Sequence, residues 1–177
     1  MRLEGKIGLV TAAGSGMGRA GAIRFAQEGA AVGVVDVDED AVASVVSEIE
    51  ENGGKAKGIV ADLTKDADSK RIVTETAKYF NGLDFVWTHV GYPGPASVEG
   101  VEMDDFDLTL DLILRTILIT TDAALTELRA RGGGSLLFTA STSGLAGSGF
   151  SPIYSMAKFG VVGFVRALAK RVAKDNI

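Results

Sequence analysis

Cysteine is missing altogether from the 177 residues, proline occurs three times, and histidine and tryptophan once each. Without cysteine there is no disulfide framework and no thiolate metal site, a composition that fits a cytoplasmic setting. Nowhere does the chain approach the roughly 18 consecutive apolar residues of a membrane span. The stretch "MRLEGKIGLVTAAG" holds only a short apolar run broken by glycine, and reads as a strand rather than a leader. Positive charge is in deficit too. The formal net charge of -5 argues against nucleic acid or an anionic membrane surface as partner. The one histidine, His89, has no Cys, Asp or Glu close by in sequence, so a structural place or one at a ligand's edge suits it better than a metal centre.

What is abundant is glycine, 23 residues, in a chain that is 46% apolar and 23% charged. These are the proportions of an ordinary globular domain. Short apolar runs at 6–12, 30–36, 55–61, 83–90 and 134–140 are nearly continuous, as buried parallel strands should be. Between them, 17–29, 38–52, 65–80, 103–130 and 152–175 carry helical periodicity. Asp38, Thr64 and Asp104 stand where helix N-caps are expected. Strand–helix alternation implies right-handed βαβ units, hence an α/β fold with a doubly wound parallel sheet covered on both faces. No linker or repeat divides residues 1–177, which read as one domain. The helix over 103–130 is apolar nearly all round, through "LTLDLILRTILITT", and is expected to be buried on two sides. The last helix carries an inner stripe of Val161, Phe164, Val165, Leu168 and Val172, with Gly160 and Gly163 allowing close approach. These two helices are the expected faces of a homodimer or homotetramer.

"VTAAGSGMGRAGAIRFAQEG" passes from a strand through glycines into a helix. Backbone N–H groups at such a turn, with the helix N-terminus, suit a pyrophosphate. Two registers are open. Gly16, Gly18 and Gly21 match G-x-G-x-x-G literally but begin far past the strand end, whereas Thr11, Ala12, Gly16 and Gly18 form T-A-x-x-x-G-x-G with Gly14 inside the loop. No Gly-Lys-Ser/Thr follows, so this is not a Walker A loop. Asp36 ends the second strand, 18 residues past Gly18. A carboxylate there can accept from adenosine ribose hydroxyls and repel a 2′-phosphate; as a plain solvated helix-start residue it would duplicate Asp38.

"SPIYSMAKFG" sets Tyr154 and Lys158 four residues apart in a helical pattern, which stacks phenol and ammonium on one face. Ser141, in "FTASTSG", precedes Tyr154 by thirteen residues. Serine at that offset, Y-x-x-x-K, the glycine turn and Asp36 together make the sequence resemble the short-chain dehydrogenase/reductase family over essentially its whole length. The resemblance implies a Rossmann fold with strand order 3-2-1-4-5 and NAD as cofactor. It implies binding through Gly14, Ser15, Gly16, Met17, Gly18, Asp36, Asp62, Leu63, Val90, Gly91, Tyr154 and Lys158, and catalysis by Ser141, Tyr154 and Lys158. Asp62, followed by Leu63, would contact adenine. Tyr154 would exchange a proton with the substrate oxygen, Lys158 would hold the nicotinamide ribose and favour the phenolate, and Ser141 would polarise the carbonyl. The substrate would be a small secondary alcohol or ketone.

Three departures from the family pattern stand out. Its first turn glycine is Ala12, tolerable where φ is negative. Its Asn-Asn-Ala-Gly after strand four reads "THVG", Thr88 to Gly91. Its helix-four asparagine, which holds a water in a proton relay, aligns with Ile113, and Asn52, Asn81 and Asn176 cannot replace it by register. Family members also continue beyond "AKDNI" into a substrate-covering segment, so the chain is expected to represent the NAD-binding part. A second reading, a nucleotide-binding member with impaired catalysis that serves as a binding or assembly partner, follows from Ile113 and "THVG".

Overall fold

A computed structural model describes residues 1–177. Five strands, β1 (Ile7–Thr11), β2 (Ala31–Asp36), β3 (Lys55–Val60), β4 (Phe85–Thr88) and β5 (Ser135–Phe138), form one sheet in the order β3-β2-β1-β4-β5. All four pairings are parallel. Helices α1 (Gly16–Gln27), α2 (Glu39–Glu51), α3 (Asp66–Phe80), α4 (Met103–Leu110), α5 (Thr116–Ala130) and α6 (Pro152–Val172) supply the connections. The expected Rossmann topology is therefore the observed one. The apolar runs cannot be satisfied by one covered face, and two cores result. Leu9, Val35, Ile72, Leu83 and Leu128 pack on the α3/α5 side, while Val10, Val32, Val34, Ile23 and Val45 pack on the α1/α2 side. No helix is long and apolar enough to cross a membrane.

Several boundaries differ from the sequence reading. Asp38 does cap α2, its Oδ1 accepting from Ala41 N at 3.0 Å. Thr64 does not cap α3: Lys65 holds that position, and the Thr64 hydroxyl donates to Asp62 at 2.6 Å instead. Asp104 lies inside the first turn of α4, behind the N-cap Glu102, where its charge still meets the helix dipole. The single helix expected over 103–130 is interrupted by a π-turn at Asp111–Arg115. There Thr116 N–H reaches back five residues to the Asp111 carbonyl, while the Thr116 hydroxyl lies 2.9 Å from both that carbonyl and Leu63 O. The hydroxyl ties the widened turn to the end of the sheet. Nor is this helix buried on two sides, since Leu118 is 58% exposed. On α6, Val161 and Val172 are buried and Phe164, Val165 and Leu168 half-buried. Gly160 faces Leu114, 3.1 Å from where a Cβ would stand, but Gly163 faces open space and admits no neighbour.

Candidate active site

In an open parallel sheet the ligand crevice lies beyond the carboxyl ends of the strands. Here that end gathers the glycine turn after β1, Asp36 after β2, Asp62 and Leu63 after β3, Val90 and Gly91 after β4 and Ser141 after β5. A cavity of about 560 Å³ beside Lys6, Asp84 and Arg131 sits at the opposite, amino end of the strands, and none of the predicted site residues lines it.

The glycine turn is built by close approach. A Cβ on Gly18 would stand 1.9 Å from the Ala12 carbonyl, so α1 can pack on the β1 end only with glycine there. Gly14 is required sterically rather than for freedom of φ: a Cβ would lie 2.8 Å from Ala41 Cβ and 3.0 Å from the Asp36 carboxyl. Ala12 departs from expectation, because its φ is +49°, not negative. Ser15, Gly16 and Met17 are exposed at the N-terminus of α1, whose first turn carries no acidic residue. Their amides suit an anion on charge and access alike.

Asp36 braces this turn. Its Oδ2 accepts from Gly14 N at 2.8 Å, and its Oδ1 accepts from Val37 N at 2.8 Å and Asp38 N at 3.3 Å. A cavity of about 270 Å³ opens beside it, lined by Ala12, Val37, Asp62, Leu63, Val90 and Leu112 among others. Asp62 accepts from the Thr64 hydroxyl and backbone and pairs with Lys65 at 3.2 Å. The Thr64 hydroxyl bond, helped by Lys65, holds its carboxyl below the usual range.

At the other end of the crevice, Pro152 opens α6 at a position where its missing N–H costs nothing. Ser155 ties the preceding loop to the helix, its Oγ accepting from Ser148 N at 2.9 Å and donating to Ser151 O at 3.0 Å. A Cβ on Gly144 would stand 2.6 Å from the Lys158 carbonyl, so glycine brings the Ser141 loop against α6 beside Lys158. The Ser141 hydroxyl accepts from Ser143 N at 3.1 Å. Tyr154 is half-buried, and the Lys158 ammonium lies 5.7 Å from its ring centre. Lys158 is only 2% exposed, and no carboxylate pairs with it. Its Nζ donates to the Thr139 carbonyl at 2.7 Å, and burial pushes its pKa down.

Ile113 lies within the π-turn, fully buried with Ile117, Ala157 and Val161, and Tyr154 packs on the same cluster. Thr88 bridges β4 and the edge strand β5, its hydroxyl donating to Leu137 O at 3.2 Å. His89 is half-buried beside Thr139, and burial, then the Lys158 charge, holds its pKa below the usual value. Two contacts escaped the sequence reading, which placed Thr11 only in the glycine turn and did not single out Thr139. Thr11 accepts from His89 N at 2.9 Å, and Thr139 anchors Lys158 through a backbone carbonyl. A carbonyl leaves no mark in residue type, so only the fold could reveal the second.

The chain matches the model of the family described as short chain dehydrogenase over residues 6–177. It is 32% identical over 169 residues to an uncharacterized oxidoreductase of Thermotoga maritima, covering 96% of this chain and 66% of that protein. It is 32% identical over 179 residues to levodione reductase of Leifsonia aquatica, covering 99% of this chain and 67% of the reductase. The chain thus spans about two thirds of the length of these relatives. Among solved structures, a 7α-hydroxysteroid dehydrogenase complexed with NADH and 7-oxo glycochenodeoxycholic acid superposes with a TM-score of 0.95 at 28% identity, over 99% of this chain and 69% of that one. An NAD+-bound xylitol dehydrogenase does so equally, with a TM-score of 0.95 at 28% identity over 100% and 68%. With the family's sheet order, glycine turn and Y-x-x-x-K helix all in place, this chain belongs to the short-chain dehydrogenase family.

Proposed function

We propose that the protein is an NAD(H)-dependent oxidoreductase that interconverts a secondary alcohol and a ketone, with Tyr154 as acid/base. The observation that carries this reading is the buried, carboxylate-free Lys158 ammonium 5.7 Å from the Tyr154 ring. A bound nicotinamide would supply or accept the hydride. Its pyrophosphate would meet the amides of Ser15, Gly16, Met17 and Gly18, and its adenosine would enter the cavity beside Asp36, Asp62 and Leu63. Val90 and Gly91 would border the ribose that Lys158 holds. The fit is supported by the exposed, acid-free N-terminus of α1 and by the acceptor carboxylate at the end of β2.

In the oxidative direction Tyr154, as phenolate, takes the hydroxyl proton of the substrate while hydride leaves its carbon. In reduction it returns that proton to the new alkoxide. Lys158 stabilises the phenolate, and the Ser141 hydroxyl donates to the substrate oxygen. NAD rather than NADP follows from Asp36, whose carboxylate would accept from ribose hydroxyls and repel a phosphate. The reading extends to a cytoplasmic homo-oligomer, whose support is the exposed apolar set Met103, Leu118, Met156 and Phe159 on α4, α5 and α6. The test is a turnover screen of secondary alcohols and ketones with both cofactors, repeated with Tyr154→Phe. General acid/base groups contribute roughly 10²- to 10⁴-fold. A Phe variant keeping more than about a tenth of the activity refutes Tyr154 in this role. Cofactor binding without turnover in the native protein would favour the binding-partner reading instead.

A further inference from the structure

The last ladder pair of the sheet, Thr88 with Phe138, leaves His89 and Thr139 facing one another just past the strand ends. Thr139 N still donates to Thr88 O at 3.2 Å, as parallel pairing requires. The matching bond, from Val90 N to the Thr139 carbonyl, is not made. Val90 N turns aside to Thr11 Oγ1 at 3.4 Å, the oxygen to which His89 N, facing β1, donates at 2.9 Å. The carbonyl released in this way is the one that receives the Lys158 ammonium at 2.7 Å.

Alternation places the side chains of Trp87, His89 and Thr139 on one face of the sheet. Trp87 Nε1 donates to Thr139 Oγ1 at 2.9 Å, and His89 Nδ1 lies 2.8 Å from the same oxygen. The indole is clamped in turn, edge to face with Phe25 at 5.9 Å, in space that Gly21 leaves open: a Cβ there would stand 2.1 Å from the ring. Thr139 is thus held at its amide and doubly at its hydroxyl, while its carbonyl carries the cation.

We propose that His89 is a positioning residue: through the Thr139 hydroxyl it fixes the carbonyl that anchors Lys158. This rests on the role given to Lys158 above. The hydrogen-bond arithmetic also sets the tautomer. Indole N–H can only donate, so Thr139 Oγ1 accepts there; its second lone pair could take an Nδ1–H as well, but the hydroxyl proton would then face no acceptor, whereas a bare Nδ1 satisfies it. Neutral His89 therefore carries its hydrogen on Nε2. Asparagine at 89 can present Oδ1 to the same hydroxyl, whereas leucine cannot.

His89 is the only histidine, so its ring nitrogens are unambiguous in ¹⁵N-detected spectra of the intact chain. The expected spectrum at pH 8 shows an unprotonated Nδ1 and a protonated Nε2, and Thr139→Val shifts the Nδ1 resonance. A protonated Nδ1, or indifference to Thr139→Val, overturns the proposal whatever the activity. In turnover, His89→Leu and Thr139→Val are expected to lower kcat about tenfold with KM little changed, since small misplacements of a catalytic group cost rate. His89→Asn is expected to restore most of it. An Asn variant as impaired as the Leu variant, with both folded, overturns the proposal. The predicted tautomer in a protein without turnover leaves the hydrogen-bonded unit standing and removes the oxidoreductase reading instead.

Discussion

Ala12 is held at φ +49°, in the left-handed region that costs a residue bearing a Cβ roughly 1–2 kcal/mol. Ala12→Gly should recover that strain. Against it stands the extra freedom of glycine in the unfolded chain, about 0.5–1 kcal/mol, and part of one half-buried methyl, worth up to about 0.8 kcal/mol if fully buried. The balance is a gain of about 0.5 kcal/mol, or about 1–2 °C in Tm for a chain of this size. Ala12→Val should move the other way, because a β-branched residue fits this region worse still. The order of stability is then Gly, Ala, Val. At an extended position the order would be reversed, since Gly loses entropy there and Val suits extended backbone. The sign of the series therefore decides the matter. Calorimetry on the three proteins, with urea midpoints at unchanged m-value as a second measure, is sufficient. A Val variant at least as stable as the native protein refutes the strained turn. Gly18→Ala is the counterpart: the Ala12 carbonyl 1.9 Å from the new Cβ cannot rotate away, so stability should fall by 1–3 kcal/mol or more.

Asp36→Ala is expected to narrow a native preference for NADH over NADPH, measured by nicotinamide fluorescence titration. It should also weaken both somewhat, because Gly14 N loses its acceptor; equal affinities in the native protein would refute the assignment. Stability should respond to pH through His89. Its folded pKa lies below the usual 6.5, so the unfolded chain takes up the proton first as pH falls through 6.5, and stability drops between there and the folded value. Tm should decline from pH 7.5 to 5.5 more in the native protein than in His89→Asn, and parallel curves would contradict this. The carboxylates held low, Glu28, Asp62, Asp66 and Asp68, act below about pH 4.5, outside that window. Ile113→Asn should destabilise by about 3 kcal/mol, because a buried apolar side chain is lost and an amide enters its cluster. Per folded molecule, however, turnover should rise and the solvent deuterium effect shrink, as the amide gives a relay water a partner; no change in either would show that the proton takes another route.

The parallel sheet was legible because a strand buried on both faces must be apolar throughout, and this pattern survives in one dimension; its strand order came only with the family resemblance. Ser141, Tyr154 and Lys158 were legible as candidates because their spacings lie along the chain, where the family resemblance is carried. Local competition for hydrogen bonds was not legible in this way. Thr64 turns to Asp62 instead of capping α3, and Thr116 reaches Leu63 and accompanies a π-turn where periodicity indicated an unbroken helix. Ala12 shows the limit most plainly. A sequence names the residue but not its φ, and only the packing of α1 on β1, with Gly18 against the Ala12 carbonyl, drives that turn into the left-handed region. The anchor of Lys158 was likewise invisible, since every residue has a carbonyl. Which one is free depends on where β4 and β5 part and on Thr11, 79 residues before Val90, drawing away the amide that would have closed the ladder. Patterning along the chain indicated the fold, and the family resemblance the candidate reacting groups; long-range pairing decided which backbone carbonyl was left to hold Lys158.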